Sequence, residues 1–164
     1  MEAGVKGETE VLQWISQASG CPAITTGQAV AQALLNLGIH KLVMISPYVE
    51  KTNLIELAYM REAGFEVVHE FGLGLPGGDS YTQVTPKEWR DLTRAHQHPD
   101  AEGYFLSCTN TRMIEMIEAS EGDLDRPVVT SNQATLWACL TRLGLCQELP
   151  GLGQLFHNRR KKSA

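Results

Sequence analysis

Gly103-Tyr104-Phe105-Leu106-Ser107-Cys108-Thr109-Asn110 is the stretch whose reading decides the fold. A short apolar run ends abruptly in Ser-Cys-Thr-Asn, and a helical pattern follows at once. An apolar run without polar alternation suits a parallel strand covered on both faces. Such a strand would deliver Cys108 to the start of a helix, where the free N–H groups of Thr109, Asn110 and Thr111 and the helix dipole favour a thiolate and bind anions.

Upstream, Lys41-Leu42-Val43-Met44-Ile45 reads as a second buried strand, followed by the loop Ser46-Pro47-Tyr48. Thr52 or Asn53 can cap a helix running to about Ala63, where Gly64 stops it. Phe65-Glu66-Val67-Val68 starts another strand, and a Gly-rich loop runs from Gly72 to Ser80. Thr85-Pro86-Lys87-Glu88 has capping-box spacing with proline at the first helical position, so a helix starts there and ends near His96. Downstream, Met113, Met116 and Ile117 share one helical face. Arg126–Thr130 is a short strand, and Ser131-Asn132 is placed to cap a last helix with Leu136, Trp137, Leu140 and Leu143 turned inward. Before the first strand, residues 8–18 place Val11, Leu12, Trp14 and Ile15 on a helical stripe, and a second helix begins at Thr25-Thr26-Gly27 and ends at Gly38.

This alternation of strands and helices predicts an α/β fold, a parallel sheet flanked by helices in the flavodoxin style. Right-handed crossovers put every strand C-terminus on one edge, where ligands of such folds bind. Ser46-Pro47-Tyr48, Ser107-Cys108-Thr109 and Thr130-Ser131-Asn132 therefore converge.

The 164 residues are 43% hydrophobic and 20% charged, proportions of one ordinary globular domain. A net charge of −5 gives no reason to expect nucleic acid or an anionic membrane surface as partner. No apolar run is long enough for a membrane helix, and the N-terminal residues show no signal-peptide pattern. The four cysteines, Cys21, Cys108, Cys139 and Cys146, lack metal-binding spacing and read as reduced thiols, which points to the cytoplasm. Arg159-Arg160-Lys161-Lys162 reads as a solvated tail.

Cys108 is the candidate reactive group. Cys21, Cys139 and Cys146 read as packing residues. Tyr48, at the end of the most apolar strand, can donate its phenol O–H to a carboxylate or enolate. Gly72-Leu73-Gly74-Leu75-Pro76-Gly77 matches GxGxxG, yet no helix opens directly after it, so a substrate loop is the better reading than a nucleotide cradle. His96 and His98 have no third ligand at metal spacing and read as a solvated helix end, with no metal expected. Glu115 and Glu118 read as a solvent face.

Phe105–Thr109, Ser46-Pro47-Tyr48 with Asn53, and Pro127-Val128-Val129-Thr130-Ser131-Asn132-Gln133-Ala134 together resemble the Asp/Glu racemase superfamily, in its maleate cis-trans isomerase and arylmalonate decarboxylase branch. The likeness runs from about Gly7 to Gly144. It implies catalysis without a cofactor on a small dicarboxylate, most simply maleate-to-fumarate isomerisation, between two lobes that each bring a cysteine. Cys108 matches the second cysteine, the proton donor and acceptor. Tyr48, Thr109, Asn53, Ser131 and Asn132 would bind the carboxylate, Thr109 through its N–H. The first-lobe cysteine has no counterpart here, so the likeness implies an N-terminally truncated chain. Residues 1–38 would be a remnant of the first lobe with its linking helix, 39–146 the second lobe and 147–164 a basic tail. An apolar face is then expected near Trp14. A homodimer is a candidate assembly because members of the family commonly pair. The alternative is a non-catalytic lobe that binds a small carboxylate or a partner chain.

Overall fold

In the computed structural model, residues 4–145 and 148–157 are described. Helices α1 (Gly4–Ser19) and α2 (Thr26–Asn36) precede strand β1 (Lys41–Ser46), and α3 (Glu50–Glu62) carries the chain to β2 (Glu66–Gly72). A short α4 (Ser80–Gln83) and α5 (Pro86–Ala95) lead to β3 (Gly103–Leu106). A 3-10 turn (Met113–Met116) and α6 (Ile117–Leu124) lead to β4 (Val128–Thr130), followed by α7 (Ser131–Arg142) and α8 (Gly153–His157).

All neighbouring strands are parallel, in the order β2-β1-β3-β4. From β1 the chain crosses to one side for β2 and then to the other for β3. The β1/β3 boundary is thus the topological switch point, and the crevice beyond its strand ends is where ligands of open α/β sheets sit. Ile45 lies opposite Leu106 in the register, and Ser107 N–H donates to the Ile45 carbonyl at 2.8 Å, which carries the ladder one step towards Cys108.

Alternation along the strands builds two apolar layers. Leu42, Met44, Phe105 and Val129 pack with Ala33 and Leu34 of α2, Met60 of α3, Trp137 of α7 and Phe156 of α8. Val43, Ile45, Tyr104, Leu106 and Val128 face the other way, against Trp89 of α5 and Met113, Met116 and Ile117. Burial on both faces is why β1 and β3 show no polar alternation.

The capping box at Thr85 forms as expected: its hydroxyl takes the Glu88 N–H and the Glu88 carboxylate takes the Thr85 N–H. Gly38 ends the second helix at φ 74°, with the Ile39 N–H on the Leu34 carbonyl, a Schellman-type closure that a left-handed glycine permits.

Several expectations are corrected. No helix follows Cys108 at once; residues 109–112 form a loop before the 3-10 turn. The α3 helix begins at Glu50 with Val49 as its N-cap, so neither Thr52 nor Asn53 caps it. Thr130 caps α7 in a capping box with Gln133, and Ser131 is the first helical residue, so Ser131-Asn132 is not the cap. Leu136 and Leu143 are exposed, Leu143 at 70%. Cys21 and Cys139 are exposed rather than packed, and Cys146 lies outside the described residues. Residues 148–157, assigned to a tail, supply the fully buried Leu155 and Phe156, while Arg159–Lys162 lie outside the described residues. No described helix is long and apolar enough to cross a membrane.

Candidate active site

Cys108 sits two residues past the end of β3 and is only 7% exposed. Its φ of 116° lies in the region that side chains other than glycine rarely adopt. Such a backbone persists only where the surroundings hold it. The holding bonds are visible: Cys108 N–H donates to Ser131 Oγ at 3.1 Å, and the Thr111 hydroxyl donates to the Cys108 carbonyl at 3.1 Å. The thiol sulfur itself accepts the Asn110 N–H at 3.3 Å. A loop amide, not a helix N-terminus, therefore faces the sulfur.

The three strand-end loops meet as the topology demands. Asn132 Nδ2 donates to the Thr109 carbonyl at 3.0 Å, tying the start of α7 to the cysteine loop. Ser131 is buried and spent on Cys108 N–H, so it shapes the loop from behind. Tyr48 stands within electrostatic reach of Glu56 and Cys108. Burial, then the nearby Glu56 and Cys108, hold that phenol well above its ordinary range, so it stays a proton donor. Asn53 is buried within α3. It is engaged by the Ser46 hydroxyl at 2.7 Å and donates to Glu70, while Ser46 Oγ also takes the Tyr48 N–H at 3.2 Å. Asn53 thus builds the Tyr48 loop and points its amide into the protein.

The Gly-rich segment comes to the same edge. Gly74 N–H donates to the Tyr48 carbonyl at 3.0 Å. A Cβ at Gly72 would stand 2.8 Å from that carbonyl oxygen, so the close approach needs glycine. Asn110 Nδ2 donates to the Gly78 carbonyl at 3.1 Å, and Tyr81 of α4 meets Tyr48 edge-on with ring centroids 5.7 Å apart. Burial, then the charge of Cys108, raise the Tyr81 phenol above its ordinary range.

Two residues here escaped the sequence reading. Tyr81 lies in the short α4, just past the Gly-rich loop on which the sequence reading concentrated. Glu56 lies on α3 among surface-type neighbours, yet it is 1% exposed, and Ser107 Oγ donates to its Oε1. Its other oxygen has no hydrogen-bond partner, and burial lifts its pKa from 4.5 to about 7 against the lowering effect of Ser107. The sequence signal was one glutamate at a position whose helical neighbours Asn53, Leu57 and Met60 are also inward.

His96 is not a solvated helix end: its Nδ1 pairs with His69 Nε2 at 2.9 Å and its ring stacks on Phe71 at 3.9 Å. Burial and His69 lower its pKa. Among the described residues no group of three His, Cys, Asp or Glu is placed to hold a metal ion. The Asn110 N–H on the sulfur and the Tyr48 phenol nearby are both neutral donors.

The chain as a whole resembles known proteins. The chain is 29% identical over 143 residues to the arylmalonate decarboxylase of Bordetella bronchiseptica, covering 85% of this chain and 60% of that protein. It is 27% identical over 135 residues to the maleate isomerase of Pseudomonas putida, covering 82% and 54%. A crystal structure of arylmalonate decarboxylase superimposes with a TM-score of 0.86 at 27% identity, covering 95% of this chain and 70% of that one. The chain thus spans little more than half the length of these two curated relatives. The sequence model of the arylmalonate decarboxylase family matches residues 3–156, and with that match the chain belongs to the arylmalonate decarboxylase family.

Proposed function

We propose that this chain supplies one side of a cofactor-independent active site that moves a proton at the carbon beside a carboxylate of a small dicarboxylate. Cys108 is the proton donor and acceptor. The supporting observation is the buried thiol held at the switch point, with the Asn110 N–H on its sulfur and Tyr48 within electrostatic reach. Tyr48 and the Thr109 N–H bind the carboxylate oxygens, and their bonds strengthen as charge moves onto those oxygens in the enediolate. The proton then passes between Cys108 Sγ and the α-carbon.

Maleate-to-fumarate isomerisation is the first reaction to test, since maleate isomerases recur among the relatives. There a nucleophile adds to one alkene carbon and Cys108 gives its proton to the other. Rotation about the new single bond follows. Cys108 thiolate then removes a proton from the same carbon, and the nucleophile leaves with its electron pair. Decarboxylation of an arylmalonate is the second reading, favoured by the matching family and by the presence of one thiol in the described site. In that reaction the C–C bond to one carboxylate breaks, carbon dioxide leaves, and Cys108 protonates the enediolate before regaining a proton from water. The test is maleate absorbance and phenylmalonate consumption with purified protein against Cys108→Ala. Turnover lost in the variant supports the assignment; equal turnover in both overturns it.

A further inference from the structure

One peptide unit in the cysteine loop is held at both of its ends. The Asn110 N–H donates to Cys108 Sγ at 3.3 Å, and the Thr109 carbonyl accepts from Asn132 Nδ2 at 3.0 Å. Both backbone groups belong to the same Thr109–Asn110 peptide. A trans peptide is planar, and its N–H and C=O point in opposite directions. Whatever fixes the carbonyl therefore also aims the N–H. Asn132 is the second residue of α7, so its own place is set by the capping box between Thr130 and Gln133.

We propose that Asn132 is a positioning residue: by holding the Thr109 carbonyl away from the thiol, it keeps the Asn110 N–H on Cys108 Sγ and so favours the thiolate that accepts a proton. It rests on the reading of Cys108 as the proton carrier and adds the group that sets its balance between thiol and thiolate. An N–H aimed at sulfur stabilises the negative form more than the neutral one. Rotation of the same plane would do the reverse, bringing the negative end of the carbonyl dipole to the sulfur. Residues 109–112 form a loop, so no helical ladder holds the plane against that turn. The Thr111 hydroxyl holds the Cys108 carbonyl and the Asn110 side chain holds Gly78, and neither bond is made to the Thr109–Asn110 peptide itself. A donor on the carbonyl also polarises the peptide and strengthens the bond made by its N–H.

The charges around the thiol are separate from this contact. Tyr48 after β1 and Tyr81 of α4 lie within electrostatic reach of Cys108, and Glu56 of α3 within reach of Tyr48. Arg112 and Glu115, at the end of the loop, pair with each other, and the first turn of α7 carries no titratable side chain. Asn132 is uncharged, so an uncharged replacement leaves all of those charges in place.

The test is the pH profile of Cys108 alkylation by iodoacetamide in the full chain, read as the mass of its peptide, for Asn132→Leu and Asn132→Ala. Leucine keeps the bulk of asparagine and loses the donor; alanine loses both. Asn132 is only half-buried, so neither change opens a hole in the core. In both variants the midpoint should move to higher pH, making alkylation on the rising limb about three- to tenfold slower, the effect of one hydrogen bond. The rate at the alkaline plateau, where every molecule is thiolate, should be unchanged. The ultraviolet absorbance of the thiolate, taken as the difference from Cys108→Ala, gives the midpoint without a reagent. An unmoved or lowered midpoint overturns the proposal. So does a loss confined to the plateau, which is what a merely loosened loop produces. A midpoint that moves in one folded variant and not in the other overturns it as well, because shape rather than the donor would be responsible. Should one variant fail to fold, the other carries the comparison with the unmodified protein. No substrate enters this measurement, so absent turnover would defeat the proposed function and leave this result standing.

Discussion

Glu56 and Tyr48 show how much a single buried polar group can decide. Below pH 4.5 the Glu56 carboxyl is protonated in the folded and the unfolded chain and contributes nothing to the pH dependence of stability. Between 4.5 and about 7 the unfolded chain releases a proton that the folded chain keeps, so stability falls as pH rises. Above about 7 the whole cost, about 3 kcal/mol for that shift, is present. Urea unfolding should therefore show Glu56→Gln gaining stability relative to the unmodified protein between about pH 5 and about pH 8; parallel curves would contradict the burial argument. Tyr48→Phe removes only the hydroxyl. A hydrogen bond to a charged group is worth about 1.5–3 kcal/mol, so kcat/KM should drop about 10- to 100-fold with the fold retained, as judged by near-ultraviolet circular dichroism. Cys108 was legible as a site residue because a lone cysteine at the end of an apolar run is unusual. Its left-handed backbone was not, since nothing in Ser-Cys-Thr-Asn excludes an ordinary turn. The conformation comes from Ser131 and Thr111, which fasten it from two directions.

At the level of elements, local signals served well where the chain's own neighbours decide the outcome. Thr85 and Glu88 are three residues apart and make their capping box whatever surrounds them. The strands were legible for the same reason, because burial on both faces leaves a continuous apolar run. The helix after Cys108 was misplaced because Thr109 to Arg112 carry no helix-breaking residue. What pulls them out of a helix is the tie from Asn132 to Thr109 and from Asn110 to Gly78, distant in sequence. The α7 cap was off by one residue for a subtler cause. Thr130, Ser131 and Asn132 can all cap, and the reciprocal bond from Gln133 selects Thr130. Thr130→Ala should accordingly cost about 1 kcal/mol of stability in chemical denaturation, and no loss would argue against the box. The final helix α8 escaped notice because five residues are too few for a periodic pattern. Glu121 secures it instead, accepting the Gln154 N–H at 2.9 Å and the Val128 N–H at 3.0 Å.

Across the whole molecule, two tryptophans separate core from surface. Trp89 is fully buried against the sheet, and Trp14 is 65% exposed beside Val11 and Ile15 on α1. Trp89→Ala should cost about 3–5 kcal/mol, and Trp14→Ala less than about 0.5 kcal/mol, both read from the denaturant midpoint. Comparable losses would mean that α1 packs differently from what is described. The topology explains why the site was foreseen as a place more completely than as a constellation. Parallel strands compel three loops to share an edge, and the β1/β3 switch point selects Tyr48 and Cys108 among them. The inward turn of Glu56 and the approach of Tyr81 depend on how a helix rotates and how a glycine-rich loop folds back, which no local pattern encodes. The central claim is that Cys108 carries the proton. Turnover of maleate or phenylmalonate by Cys108→Ala, compared with the unmodified protein, tests it most directly. The account predicts a loss of about 100- to 10,000-fold, the range for a positioned acid–base group, with unchanged unfolding behaviour; turnover undiminished in the variant would contradict it.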